Sequence, residues 1–142
     1  MIKHIVMWKL AETAESAHKA TNAKLMKKML EKLNNRAKSS GLESTISPRL
    51  ILNGNNAFND LKQTVDFTLL FAVAHEVPDR EQLFAYLSGM MKSKARLVFA
   101  EPIGHVKWED FKQSVSYAEK AGFIRLQPMK INRSYGVLME KS

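Results

Sequence analysis

The stretch TVDFTLLFAVAHEVPD, residues 64–79, decides the fold of this 142-residue chain. Its apolar run is interrupted only by Asp66 and Thr68 and is rich in β-branched and aromatic residues, which is typical of a strand covered on both faces in a parallel sheet. The run ends abruptly at His75 and Glu76. Because ligands of open α/β sheets bind just beyond the carboxyl ends of the strands, His75 and Glu76 are candidate functional residues.

Strands and helices alternate along the rest of the chain. The apolar periodicity predicts strands at residues 2–8, 44–52, 95–100, 123–129 and 134–140, and helices at residues 13–40, 79–94 and 108–121. The first helix would be about 42 Å long, so it either breaks near residues 21–22 or projects beyond the sheet. The sequence therefore predicts one α/β domain over residues 1–142, a three-layer sandwich. The six strands are numbered in chain order, with the strand of the opening stretch as the third. They form a mostly parallel, Rossmann-like sheet of order 2-1-3-4-6-5, in which the carboxyl-terminal strand is antiparallel.

The composition limits the cellular compartment and the classes of partner that the chain is expected to have. The absence of cysteine excludes a disulfide framework and suits a reducing compartment, so a cytoplasmic location is expected. No apolar run approaches the roughly 20 residues that span a bilayer, and no membrane partner is expected. The formal net charge of +8 would attract anionic partners. Because the bases are spread along the chain and no aromatic side chains interleave with them, a solvated basic surface is favoured over a nucleic-acid site.

A second polar pair follows the strand at residues 95–100. Glu101 and His105 stand after that strand as His75 and Glu76 stand after theirs, so the four side chains are expected to converge at one edge of the sheet. These four are the candidate catalytic residues, as an acid/base site. Two histidines and two carboxylates also suit a divalent metal, but no metal ligands are assigned. The alternative that all four are only cap and turn residues stays open.

From residue 29 onward the chain resembles a known family. The segments MLEKLNNRAKSSGLESTI, VDFTLLFAVAHEVPDREQLF, ARLVFAEPIGHV and AGFIRLQPMKI are similar, in order and spacing, to the carboxyl-terminal two-thirds of class I S-adenosylmethionine-dependent methyltransferases. In that family an aspartate opens the fourth strand, the chain leaves this strand near the substrate, and a strand pair closes the sheet. Asp66, His75 with Glu76, and residues 123–140 stand at these places. The resemblance implies a methyltransferase-like fold and S-adenosylmethionine as the cofactor if the protein is active.

The amino-terminal residues resemble a different family. MIKHIVMWKL and the following KATNAKLMKKMLEKLN, within residues 1–35, look like the start of the stress-responsive A/B barrel family, whose small domains dimerise through their sheets. This resemblance implies a homo-oligomer. His4 lies on the matching strand and is interpreted as a core histidine.

The cofactor motif of the methyltransferases has no counterpart in the sequence. Those enzymes use a Gly-rich turn after the first strand and an acidic residue after the second, because close approach of the backbone needs glycine and the ribose hydroxyls need a carboxylate. The six glycines are residues 41, 54, 89, 104, 122 and 136, and no two of them have a GxG spacing. The turn at residues 9–13 has no glycine, although its Glu12 offers a carboxylate. No cofactor-binding residue is assigned and no bound cofactor is expected.

The sequence thus predicts a methyltransferase-like protein that lacks the Gly-rich motif and is not an autonomous enzyme, but a remnant, a chimera or a partner subunit. Two alternatives stay open. The first is an active S-adenosylmethionine-dependent methyltransferase whose cofactor site is altered or completed by a second copy. The second is a dimeric binding module with a basic surface. The sequence does not identify a small-molecule substrate.

Overall fold

The computed structural model describes the backbone of residues 4–7, 13–14, 17–47, 49 and 55–142, and the side chains of residues 24, 27–47, 49 and 58–142. The chain divides into two compact units, formed by residues 1–9 with 60–142 and by residues 10–59. None of the helices in the described ranges combines the length and the apolar character that crossing a membrane would need. The single domain over residues 1–142 stays a prediction.

The larger unit is built on a five-stranded mixed sheet. Numbered along the chain, the strands are β1 (His4–Met7), β2 (Thr13–Ala14), β3 (Ala17–His18), β4 (Val65–Phe71), β5 (Met91–Pro102), β6 (Phe123–Pro128) and β7 (Ser134–Lys141). The sheet has the order β1-β4-β5-β7-β6, whereas β2 and β3 pair only with each other. β1, β4 and β5 are parallel, β7 is antiparallel to β5, and β6 is antiparallel to β7. The predicted α/β class and terminal hairpin are confirmed.

The six-strand order is not seen. The five strands of the sheet follow the predicted order with its second strand, residues 44–52, left out. In that segment the backbone amides of Thr45 and Ile46 both donate to the carbonyl of Leu42, at 2.9 and 3.0 Å. These turn hydrogen bonds use the amides that a strand ladder would need. Residues 48 and 50–52 of the predicted strand lie outside the described residues, and the three-layer arrangement stays a prediction.

The smaller unit contains one long helix, α1 (Lys19–Ser39), and most of a 3-10 helix at Asn55–Leu61. The predicted helix start at residue 13 is wrong, because Thr13–Ala14 and Ala17–His18 form a short antiparallel ribbon. α1 is continuous through residues 21–22, where a break was considered.

Helix α1 ends at Ser39, next to the predicted end at residue 40. Gly41 has a φ of +66°, a left-handed conformation that favours glycine. The amide of Gly41 donates to the carbonyl of Lys38 at 3.1 Å, and the amide of Leu42 donates to the carbonyl of Ala37 at 2.7 Å. These two bonds are the Schellman pattern, which satisfies carbonyls at the end of a helix.

Two helices cover one face of the sheet in the larger unit. They are α2 (Arg80–Met90) and α3 (Trp108–Lys120). The ring of Phe99 on β5 meets Phe84 of α2 edge to face at 5.3 Å between centroids, and stacks on Phe111 of α3 at 5.1 Å. Aromatic pairs in these geometries add stability beyond the area that they bury. Phe99 is therefore the centre of this core.

Helix α2 begins as predicted and ends earlier. Asp79 caps it, since its Oδ1 accepts a hydrogen bond from the amide of Gln82 at 2.8 Å. The helix ends at Met90, not at residues 92–94, because Met91 is already extended and opens β5. Lys94 has a φ of +66° in this early part of β5, where the register between β4 and β5 shifts. The residues predicted to end this helix thus form an irregular part of a strand.

Candidate acid/base site at the carboxyl edge of the sheet

Strand β4 is shorter than the sequence suggests, and its end creates the candidate site. β4 stops at Phe71, and Ala72 has a φ of +55° that turns the chain away from the strand direction. The amide of Ala72 still donates to the carbonyl of Ala100 on β5, at 2.9 Å. Residues Ala74–Glu76 then form one turn of 3-10 helix. The apolar run therefore holds a strand, a left-handed turn and a short helix before the cap of α2.

Glu101 is the centre of the site. Phe71, the last residue of β4, pairs with Ala100 on β5, so Glu101 is the first residue of β5 beyond the end of β4. Its side chain is 1 % exposed, and among the described residues it is the only buried ionisable one. The carboxylate accepts a hydrogen bond from the amide of Ala74 at 2.7 Å and a longer one from the amide of His75 at 3.4 Å. Buried carboxylates need such donors, because an unpaired charge away from water is very costly.

His75 completes the environment of Glu101. Its Nδ1 contacts Oε2 of Glu101 directly, an arrangement in which a protonated Nδ1 donates to the carboxylate. The other ring nitrogen, Nε2, lies 3.3 Å from Oε1 of Glu76, and the His75 side chain keeps 20 % of its surface exposed. With Nδ1 held against Glu101, Nε2 is the ring nitrogen that faces Glu76. The pair therefore presents one oriented ring nitrogen at the partly exposed side of the site.

The four residues predicted to converge differ in how closely they do so. His75, Glu76 and Glu101 are in direct contact through the two interactions of the His75 ring. His105 is exposed, and its ring centroid lies 6.0 Å from that of His75 without a hydrogen bond between them. Their catalytic role stays a prediction. Within the side chains that the structure describes, no group of three or more His, Asp or Glu residues is arranged to hold a metal ion.

An aromatic pair next to Glu101 was missed by sequence reasoning. Tyr135 on β7 pairs with Glu101 on β5, and the ring of Trp108 lies 5.1 Å from the ring of Tyr135. Trp108 has the helical spacing of a core residue relative to the buried Phe111, but its own side chain is 49 % exposed. As the first residue of α3 it has no preceding helical turn to cover it. The position of Trp108 just after the loop that follows Glu101 was the available signal.

Strand β1 also ends at this edge of the sheet. Met7, the last residue of β1, pairs with Leu70 on β4, so the carboxyl end of β1 lies at the same edge as Glu101. The residues that follow, 8–12, lie outside the described residues. In the sequence, residues 8–13 contain no glycine.

Comparisons with known proteins show which solved structures have a similar fold. No protein-family model matches the chain, and no curated protein sequence matches it. Solved structures do match. A candidate sarcosine dimethylglycine methyltransferase from Galdieria sulphuraria has a TM-score of 0.57 at 12% identity, over 77% of this chain and 64% of its own. A SAM-dependent methyltransferase from Aquifex aeolicus has a TM-score of 0.55 at 18% identity, over 74% of this chain and 59% of its own. The [4+2]-cyclase SpnF has a TM-score of 0.58 at 9% identity, over 75% of this chain and 61% of its own.

The chain is therefore structurally similar to class I S-adenosylmethionine-dependent methyltransferases. At these identities the similarity establishes the fold alone. The chain spans about three fifths of the length of these three solved structures. The comparisons give no support to the resemblance of residues 1–35 to the A/B barrel family, nor to a chimera. β1 pairs in parallel with β4, as the methyltransferase-like sheet order requires.

Proposed function

We propose that this protein is a methyltransferase-like protein that does not bind S-adenosylmethionine by itself. One observation carries the proposal, namely that residues 8–13 contain no glycine in the sequence, although they follow a strand, β1, that ends at the same edge of the sheet as Glu101 and His75. The first glycine of the chain is Gly41, beyond the end of α1. A side chain at each of these positions disfavours the close approach of backbone to ligand that a Gly-rich turn provides.

The fold indicates which cofactor an active form would use. Two of the similar structures are described as methyltransferases, one of them as SAM-dependent, so S-adenosylmethionine is the cofactor for an active form. A chain that keeps this fold without the Gly-rich turn is suited to serve as a partner subunit or to be a remnant of an enzyme. We favour the partner subunit, because Glu101 and His75 keep a satisfied buried arrangement that a decaying site would lose.

Calorimetric titration tests this proposal. The full chain is titrated with S-adenosylmethionine and, separately, with S-adenosylhomocysteine, after circular dichroism has shown that the sample is folded. We expect no binding heat with either ligand up to about 1 mM, which corresponds to a binding free energy weaker than about −4 kcal/mol. A micromolar Kd for either ligand in a homogeneous sample would refute the proposal.

A second candidate function is an active methyltransferase whose cofactor site is altered or completed by a second copy of the chain. The hydrogen-bonded pair of His75 and Glu101 favours it. Because Nδ1 is held by Glu101, a substrate hydroxyl or amine would meet His75 at Nε2, in place of the contact with Glu76. Sedimentation velocity combined with the titration separates this candidate from the first. Binding that appears only at concentrations where a dimer forms would support a shared site.

The third possibility is a dimeric binding module with a basic surface, and the same two measurements test it. It requires a dimer in sedimentation that is insensitive to S-adenosylmethionine. A monomer at all concentrations would remove this module and the shared-site form of the second candidate, and would leave the partner-subunit proposal in place.

A further inference from the structure

Most of the excess positive charge of the chain lies on α1. This helix contains seven Lys or Arg residues and a single acid, Glu31, a net charge of +6 out of the +8 of the whole chain. Residues 60–142 contain 12 bases and 10 acids, a net charge of only +2. The bases are spread along the sequence, but their excess over the acids is concentrated on one helix of the smaller unit, which the distribution of bases alone does not show.

The bases of α1 also differ from the others in their pairing. Six bases of residues 60–142 form ion pairs with carboxylates, namely Lys92, Lys94, Arg96, Lys112, Lys120 and Arg125. The α1 bases with described side chains are all exposed, and they are Lys24, Lys27, Lys28, Lys32, Arg36 and Lys38. None of these six forms an ion pair with a carboxylate among the described side chains. They are available to an external anion.

Four of these bases form a continuous stripe. Lys24, Lys28, Lys32 and Arg36 are spaced four residues apart, so neighbours are about 6 Å apart along the axis and the stripe is about 18 Å long. Like charges at this spacing destabilise a helix. The stability of α1 thus gives no reason for the stripe, whereas a polyanionic partner does.

We propose that this stripe binds the phosphate backbone of a double-stranded nucleic acid without reading the base sequence. Lys and Arg contacts to phosphates supply most of non-specific nucleic-acid binding. α1 contains no aromatic residue on which the bases of a single strand would stack. The proposal is independent of the methyltransferase-like site, which lies in the other unit.

A membrane surface fits the same helix less well. A helix that lies on a bilayer inserts a wide apolar face, usually with Trp, Phe or Leu. On the side of α1 away from the stripe, Leu30 and Leu33 are half-buried and Ala37 is buried, so the described part of the apolar face, from residue 27 on, is already partly covered. Met29, 60% exposed, is the large apolar side chain that remains open among the described part of the helix.

The test is fluorescence anisotropy of a short labelled duplex with the full chain at several salt concentrations. Four phosphate contacts predict that the affinity falls about 150-fold between about 50 and 200 mM salt. The variant K24Q/K28Q/K32Q/R36Q removes the stripe, and Gln has nearly the same helix propensity as Lys and Arg. The control variant K62Q/K107Q/K130Q/K141Q lowers the net charge by the same amount but leaves α1 intact.

We expect the stripe variant to lose at least about tenfold in affinity at low salt and most of the salt dependence, and the control variant to keep both. Circular dichroism of both variants verifies that the helix is retained. An equal loss in the two variants would overturn the proposal, because net charge alone would then explain the binding. Failure of the unmodified chain to bind duplex at low salt, or stripe-dependent binding to anionic vesicles but not to duplex, would also overturn it.

Discussion

Replacing Glu101 by Gln perturbs the candidate site with the smallest change in shape. The amide oxygen of Gln can still accept the hydrogen bond from the amide of Ala74, which is 2.7 Å long in the native site. The contact with His75 Nδ1 is lost, because the Gln NH2 group is a donor that faces another donor. A hydrogen bond to a charged group contributes about 1.5–3 kcal/mol, so we expect the free energy of unfolding to fall by about that amount.

Urea unfolding of four proteins isolates this contact. They are the unmodified chain, Glu101→Gln, His75→Ala and the double variant, and we expect a coupling free energy of at least about 1 kcal/mol between the two sites. Glu109→Gln is the matched control, since its ion pair with Lys112 is exposed and should be worth less than about 0.5 kcal/mol. If Glu101→Gln is as mild as the control, or if the two sites are additive, Glu101 does not orient His75.

Three further predictions concern the larger unit. Asp79→Ala removes the cap of α2 and should lower the free energy of unfolding by about 1 kcal/mol, whereas Asp79→Asn, which keeps an acceptor, should restore most of it; equal losses would refute the capping role. Gly136→Ala places a Cβ 2.9 Å from the carbonyl oxygen of Met129 and should destabilise by about 1–3 kcal/mol, whereas Gly89→Ala in α2 meets nothing within 4 Å and should be neutral or stabilising in the same urea assay. The hydrogen bond from Arg125 holds the pKa of Glu119 below its usual value, so the pair contributes stability that is present above the unfolded pKa of about 4.5 and is lost as the pH falls through the lower folded pKa. This contribution to the free energy of unfolding is small because both side chains are exposed, and Arg125→Gln should remove it. If the variant loses as much stability at acid pH as the unmodified chain does, the assignment is wrong.

Sequence patterns predicted those features that depend on local chemistry. The end of α1 near residue 40, the start of α2 next to Asp79 and the terminal hairpin follow from the preferences of single residues and turns. The meeting of Glu101 with His75 followed from topology, because two neighbouring parallel strands end at the same edge.

Other features depend on contacts that periodicity does not contain. The apolar pattern at residues 44–52 favours a strand, but the amides of Thr45 and Ile46 are used in a turn after α1. Trp108 has the spacing of a core residue, yet it opens α3 and stays half-exposed. The buried state of Glu101 was not predicted either, because it requires donors from Ala74 and His75, which only the left-handed turn at Ala72 positions.

Unfolding by urea with and without S-adenosylhomocysteine tests the central proposal most directly, because any ligand that binds only the native state must stabilise it. At about 1 mM ligand, a site with a Kd of about 10 µM would raise the free energy of unfolding by about 2.7 kcal/mol. We predict no change in the urea midpoint, since the turn after β1 has no glycine. A rise of that size would contradict the proposal and show that the chain binds the cofactor without a Gly-rich turn.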